Sequence, residues 1–175
     1  GDWFNAIDWT GETTAFGRGL PLAGDNRPSW NVMRDRLVNP LLVPGPDDAA
    51  FAAAAFQDML RVRRDTPLFR LRTTEDVLAR VAFHATGPDA PAGVIVMELR
   101  DDLPDLVDLD PDVDRVLVVF NASPGRVNLE LPGDPARRWT LHPDLAAGAD
   151  AEVLRTAVVY PGTSRATVTA LTTAV

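Results

Sequence analysis

Arg115-Val116-Leu117-Val118-Val119-Phe120-Asn121 reads as the strongest strand in the sequence. It is dense in β-branched and aromatic residues, which suit a pleated, buried surface, and turn-forming residues bound it on both sides. Working outward, Gly93–Leu99 is a second buried-strand run, and Val77–Phe83 alternates in part. Downstream, Arg126–Leu131 alternates cleanly, followed by Trp139–His142, Val153–Tyr160 and Ala166–Val175, the last alternating through Val168, Ala170 and Thr172. Short runs of this kind, joined by Gly, Pro and Asp turns, predict an antiparallel β-sandwich over residues 73–175. There is no convincing internal repeat.

Upstream of these runs lies one strong helix, expected over about 48–65. Asp47 or Asp48 can cap it and complement the positive end of its dipole. Phe51, Ala55, Met59 and Val62 recur on one face, with Phe56 and Leu60 widening the stripe. Arg61, Arg63 and Arg64 suit the C-terminal end, and Pro67 forbids continuation while driving Thr66 out of the α region. Residues 1–46 hold Trp3, Trp9 and Trp30 among Gly17, Gly19, Pro21, Gly24 and Pro28. Neither helical nor strand periodicity persists there, so a long ordered loop with short helical turns is expected. Its tryptophans either pin the loop to a core or serve a site.

Composition narrows the function. The chain has 175 residues, 46% of them hydrophobic, enough for a core. Its net charge of −8 and dispersed acidic residues argue against a nucleic-acid backbone as partner. Every Lys-or-Arg position is arginine and alanine is abundant, which reads as a high-GC coding bias. No run approaches the roughly 20 apolar residues of a membrane helix, so no membrane partner is expected. The opening Gly1-Asp2-Trp3-Phe4-Asn5 has no signal-peptide pattern and no initiator Met, as in a processed or excised chain. Cysteine is absent, which removes disulfides, thiolate nucleophiles and Cys-based metal sites and leaves the compartment open.

Few residues could carry chemistry. His84 and His142 stand far apart without a partner His or Cys, so zinc is not expected and ordinary hydrogen bonds are. No Gly-x-Ser-x-Gly elbow or phosphate-cradling glycine loop occurs. Asn121-Ala122-Ser123 matches the glycosylation pattern, a short pattern that arises easily by chance. Between Asp101 and Asp114 lie seven aspartates. Closely spaced carboxylates can cage calcium, yet interleaved Leu, Val and Pro break the ligand spacing. A solvated acidic loop is therefore expected, with calcium as the alternative. Asp2-Trp3-Phe4-Asn5-Ala6-Ile7-Asp8-Trp9 combines aromatic faces with short polar side chains, the physical kit for stacking on sugars and bonding vicinal hydroxyls. Asp2 and Asp8 invite comparison with a glycosidase carboxylate pair, but six residues of separation in an aromatic loop gives no such geometry. They read as binding or structural groups.

That opening run resembles the Gly-Asp-Trp-Phe-Asn…Asp-Trp segment following the eighth barrel strand of pullulanase-type debranching enzymes, in the α-amylase superfamily (glycoside hydrolase family 13). Phe16-Gly17-Arg18-Gly19-Leu20-Pro21, Asp25-Asn26…Trp30 and Phe56–Leu71 continue the resemblance. Pro91–Met97, Val118–Pro124 and Leu141-His142-Pro143 extend it through the terminal domain. The final strand and the acidic stretch depart from the family pattern.

The resemblance implies a mainly β chain with a helical N-terminal segment. Residues 1–72 would be the last loop and helix of a (β/α)8 barrel, and 73–175 a C-terminal sandwich. It implies hydrolysis of α-1,6 links in pullulan, starch or glycogen dextrins by an Asp nucleophile and a Glu acid on earlier barrel strands, upstream of Gly1. No catalytic residue, metal ligand or cofactor is then expected in this chain. Its implied partners are the upstream barrel and, through the parent enzyme, an α-glucan. Loops following barrel strands build the site, so Asp2, Asn5 and Trp3 become the candidate substrate contacts. For residues 73–175 two roles compete, a structural cap and an α-glucan-binding module. The sandwich offers only Trp139 and Tyr160 as larger sugar platforms.

Overall fold

The computed structural model describes residues 10, 12, 23–133, 138–160, 163 and 165–175. The chain divides into two compact units, Gly1–Ala54 and Ala55–Val175. In the first, helix α1 (Ala23–Asn26) leads through a 3-10 turn, Arg27–Ser29, into helix α2 (Trp30–Leu37), followed by a second 3-10 turn, Pro40–Leu42. A long loop with short helical turns was the expectation; α2, at eight residues, exceeds it. Its sequence lacks Gly and Pro, so nothing interrupts the helix once Pro28 has begun the preceding turn. The Arg27 guanidinium lies 5.9 Å from the Trp30 ring centre, a cation–π contact.

Helix α3 (Pro46–Asp65) starts with Pro at its first position, where no N–H is needed. The Asp48 carboxylate accepts a hydrogen bond from the Gly45 N–H at 2.8 Å. Pro67 ends the helix as expected: Thr66 is extended (φ −119, ψ 139) and its hydroxyl accepts from the Leu68 N–H. Only part of the predicted stripe is buried. Val62 is buried and Met59 packs with Leu145 and Val153, but Phe56 and Leu60, further round the helix, are 65% and 49% exposed. Asp58, also buried, binds Arg61 and accepts from the Ala149 N–H at 2.7 Å, tying α3 to a distant turn. That turn needs Gly148, because a Cβ there would stand 2.8 Å from the Asp144 carbonyl oxygen.

The second unit is mixed helix and antiparallel sheet rather than mainly β. Residues 77–80, expected as strand, belong to helix α4 (Thr74–Arg80), and β1 is only Val81–His84. A capping box decides this: the Thr73 hydroxyl accepts from the Asp76 N–H at 3.0 Å and donates to the Asp76 carboxylate at 2.8 Å. Strands β2 (Val94–Arg100), β3 (Arg115–Asn121) and β4 (Val127–Glu130) lie where their patterns placed them. Trp139–His142 forms no strand; His142 caps helix α5 (Pro143–Ala146) instead. Asp150 caps helix α6 (Ala151–Thr156) within the run read as one strand, leaving β5 as Val158–Val159. The run 166–175 is two strands, β6 (Arg165–Val168) and β7 (Thr172–Ala174), parted by a reversal in which Leu171 has φ 52.

All strand pairs are antiparallel, in sheets ordered β1-β2-β3-β7 and β4-β6-β5. β6 and β7 are consecutive in the chain yet belong to different sheets. Val96, Val119, Leu129 and Val168, drawn from both sheets, join one buried cluster. The alternate residues Leu99, Val116 and Val118 pack with Leu68 on the other face of the larger sheet. Burial on both faces is why β3 is nearly continuous apolar sequence rather than alternating.

The acidic stretch 101–114, expected to be a solvated loop, is partly anchored. Leu109 and Val113 pack against the Leu68 cluster. Asp101 is buried: it pairs with buried Arg80, and its carboxylate accepts from the Leu109 and Asp110 N–H groups at 2.8 and 2.7 Å. Arg80 also donates to the Val107 carbonyl, so the loop wraps one charge pair. Asn121 is 2% exposed and its amide donates to the Gly125 and Thr169 carbonyls, which removes it as a glycosylation acceptor.

Candidate functional site: a cleft between the two sheets

The substrate contacts expected from sequence, Asp2, Trp3 and Asn5, lie outside the described residues, as do Trp9 and Asp8. Within the second unit, one apolar concavity is a cleft of about 320 Å³ between the sheets. Leu117 and Val119 of β3 and Val168 of β6 form its apolar floor, and Trp139 forms part of its wall. It exists because small side chains, Ala157, Ala166 and Ala174, occupy facing positions where larger ones would interdigitate.

Polar groups gather at its edges. Arg115 donates through Nε to Asp102 at 2.8 Å, through Nη2 to the same carboxylate at 2.7 Å, and through Nη1 to Glu98 at 2.8 Å. Asp102, then Glu98, raise the Arg115 pKa against the opposing effect of burial, so it stays charged at every working pH. Cross-strand register explains the cluster. Arg100 stands opposite Arg115, a repulsive pair that Asp102 bridges. Buried Glu98 also accepts from His84 Nε2 at 2.9 Å.

Asp65, Thr140 and His142 form another edge. His142 Nδ1 accepts from the Asp144 N–H at 3.2 Å, so neutral imidazole carries its proton on Nε2, 3.3 Å from Asp65 Oδ2. Asp65, His142 and Asp144 are the one grouping with metal-ligand spacing among the described residues. With both ring nitrogens engaged in this way, however, His142 presents no lone pair to a cation. The acidic loop 101–114 contributes no such grouping among the described residues; Asp108 and Asp110 instead accept from nearby backbone N–H groups. Both histidines thus make ordinary hydrogen bonds. The cleft itself was not legible in the sequence, since it depends on how alanines between 157 and 174 meet β3, some forty residues upstream. The sole local signal was His142-Pro143-Asp144, a helix start.

Residues 11–175 match the family described as alpha-1,6-glucosidases, pullulanase-type, C-terminal. Pullulanase 1, chloroplastic, of Arabidopsis thaliana is 35% identical over 178 aligned positions, covering 100% of this chain and 18% of that protein. A pullulanase of Klebsiella pneumoniae is 32% identical over 124 positions, covering 71% and 11% respectively. Among solved structures, PulA from Klebsiella oxytoca superposes with a TM-score of 0.82 at 26% identity, over 99% of this chain and 16% of that one. A maltotriose complex of PulA from Klebsiella pneumoniae gives 0.79 at 28% identity, over 99% and 18%. The chain thus spans less than a fifth of the length of these relatives.

Proposed function

The chain belongs to the C-terminal family of pullulanase-type alpha-1,6-glucosidases, and from that premise we propose that it is the structural cap of a starch-debranching enzyme. In this reading the two sheets form a sandwich, residues 73–175, that packs on a catalytic barrel whose last loop and helix are residues 1–72. The barrel supplies the carboxylates that hydrolyse α-1,6 links in a branched α-glucan, and this chain supplies none. Asp2, Asn5 and Trp3 would contact sugar hydroxyls and faces at the barrel mouth. The crystallised relative that holds maltotriose supports an α-glucan as the parent's substrate.

The observation that carries the reading is the half-covered apolar face of helix α3. Its edge through Met59 and Val62 packs with Leu145 and Val153. Phe56 and Leu60, adjacent as i and i+4, carry the apolar surface further round the helix and are 65% and 49% exposed. An apolar face wider than one neighbour covers is built to lie between two bodies, and in this reading the parent polypeptide provides the second. Trp139 supports a cap over a glucan-binding module, because it packs partly buried against the inter-sheet cluster. The test places Phe56→Glu and Leu60→Glu together in the full polypeptide. Its melting temperature should drop by several degrees, while the same changes in this chain alone should leave its melting nearly unchanged. An undisturbed full polypeptide would remove the reading.

A further inference from the structure

The proposed cap makes no use of the cleft between the sheets, and the walls of that cleft are specific enough to name a ligand class. An apolar cavity of about 150 Å³ takes benzene, so 320 Å³ accommodates a fused two-ring molecule. Leu117, Val119 and Val168 give it an apolar floor, and Trp139 gives it an aromatic wall. A sugar would press unpaired hydroxyls against that floor, at a desolvation cost that the few edge groups cannot offset.

The edges select the ligand's charge and polar end. Arg115 already pairs with both Asp102 and Glu98, so an anion arriving there would meet two carboxylates beside one cation. The chain's net charge of −8 opposes anions further. At the other edge Asp65, with its side chain 66% exposed, accepts hydrogen bonds beside His142 Nε2. It therefore favours a donor.

We propose that this cleft binds an uncharged or cationic two-ring apolar molecule bearing one hydroxyl or amino group, its rings lying between β3 and β6 against Trp139 and its donor on Asp65. The site is independent of the capping role. Calorimetric titration of the chain with 2-naphthylmethanol tests it, alongside 2-naphthoate and maltotriose. Saturable one-to-one binding of the alcohol is expected, with 2-naphthoate at least tenfold weaker. Ala166→Leu, which extends a side chain into the space, should weaken the alcohol at least tenfold and raise the melting temperature. Should that variant fail to fold, Ala174→Val takes its place. No saturable heat from folded wild-type chain overturns the proposal, as does equal affinity in a folded cavity-filling variant. Heat from maltotriose in place of the alcohol overturns it too, and points instead to a glucan module.

Discussion

The two sheets use the same ionic residue types to opposite ends. Around β1-β2-β3-β7, charges are covered: Arg80 and Asp101 have side chains 1% and 2% exposed, and Glu98 with Arg115 are 4% and 14%. On β4-β6-β5 the cross-strand pair Glu130 and Arg165 stands 3.8 Å apart at 84% and 69% exposed. The larger sheet is packed on both faces, so charges near its strand ends are trapped under loops and must be paired. The smaller sheet leaves its pair in water, where attraction is screened and side-chain entropy opposes it. An ion pair is therefore structural on one sheet and incidental on the other.

The comparison breaks most visibly at Arg80. Arg80→Ala leaves Asp101 buried without its cation and should cost about 3–5 kcal/mol, read by chemical denaturation. The paired replacement Arg80→Met with Asp101→Leu should recover only part of this, because Asp101 also receives the Leu109 and Asp110 N–H groups. Full recovery would mean that the loop is not organised by the carboxylate. On the smaller sheet, a double-mutant cycle on Glu130 and Arg165 should give a coupling below about 0.5 kcal/mol, vanishing in high salt. A coupling several times larger would erase the contrast between the sheets.

The smallest effect sharpens the boundary between the two cases. Asp76 meets Arg80 from the exposed start of α4, and its pKa is lowered first by the Thr73 hydroxyl, then by Arg80. A carboxyl depressed in the folded state contributes stability present above its unfolded pKa of about 3.9, and lost as pH falls through the folded value. Carboxyl-carbon NMR should therefore find Asp76 titrating below the ordinary aspartate range, and Thr73→Ala should move it upward. No movement would assign the shift to Arg80 alone.

These contrasts follow how far the fold could be read from sequence. β4 and α3 were legible from their periodicity, and β2 and β3 as continuous apolar runs between turn residues. α4 and α6 were misread as strand because Val77-Leu78 and Val153 suit either period. Their helical starts depend on the Thr73–Asp76 box and on the Asp150 cap, a few residues outside the apolar runs. The split of 166–175 was hidden because Val168, Ala170 and Thr172 keep alternating while the backbone reverses. Asp101 looked like one of many solvated carboxylates, since its partner Arg80 is 21 residues away. Phe56 and Leu60 do widen the stripe of α3, but sequence could not show that this edge of it stays exposed.

The split run 166–175 has a consequence for synthesis. β3, the most apolar strand, finds β2 soon after it is made, across the short acidic loop. Its other edge, at Val119–Asn121, waits for β7, some fifty residues later. Until Thr172–Ala174 emerge, those backbone groups stay unpaired on a strand rich in valine, the arrangement that templates strand addition between chains. A nascent chain that has not yet added Thr172–Ala174 should therefore be more prone to aggregate than the small buried area of β7 suggests.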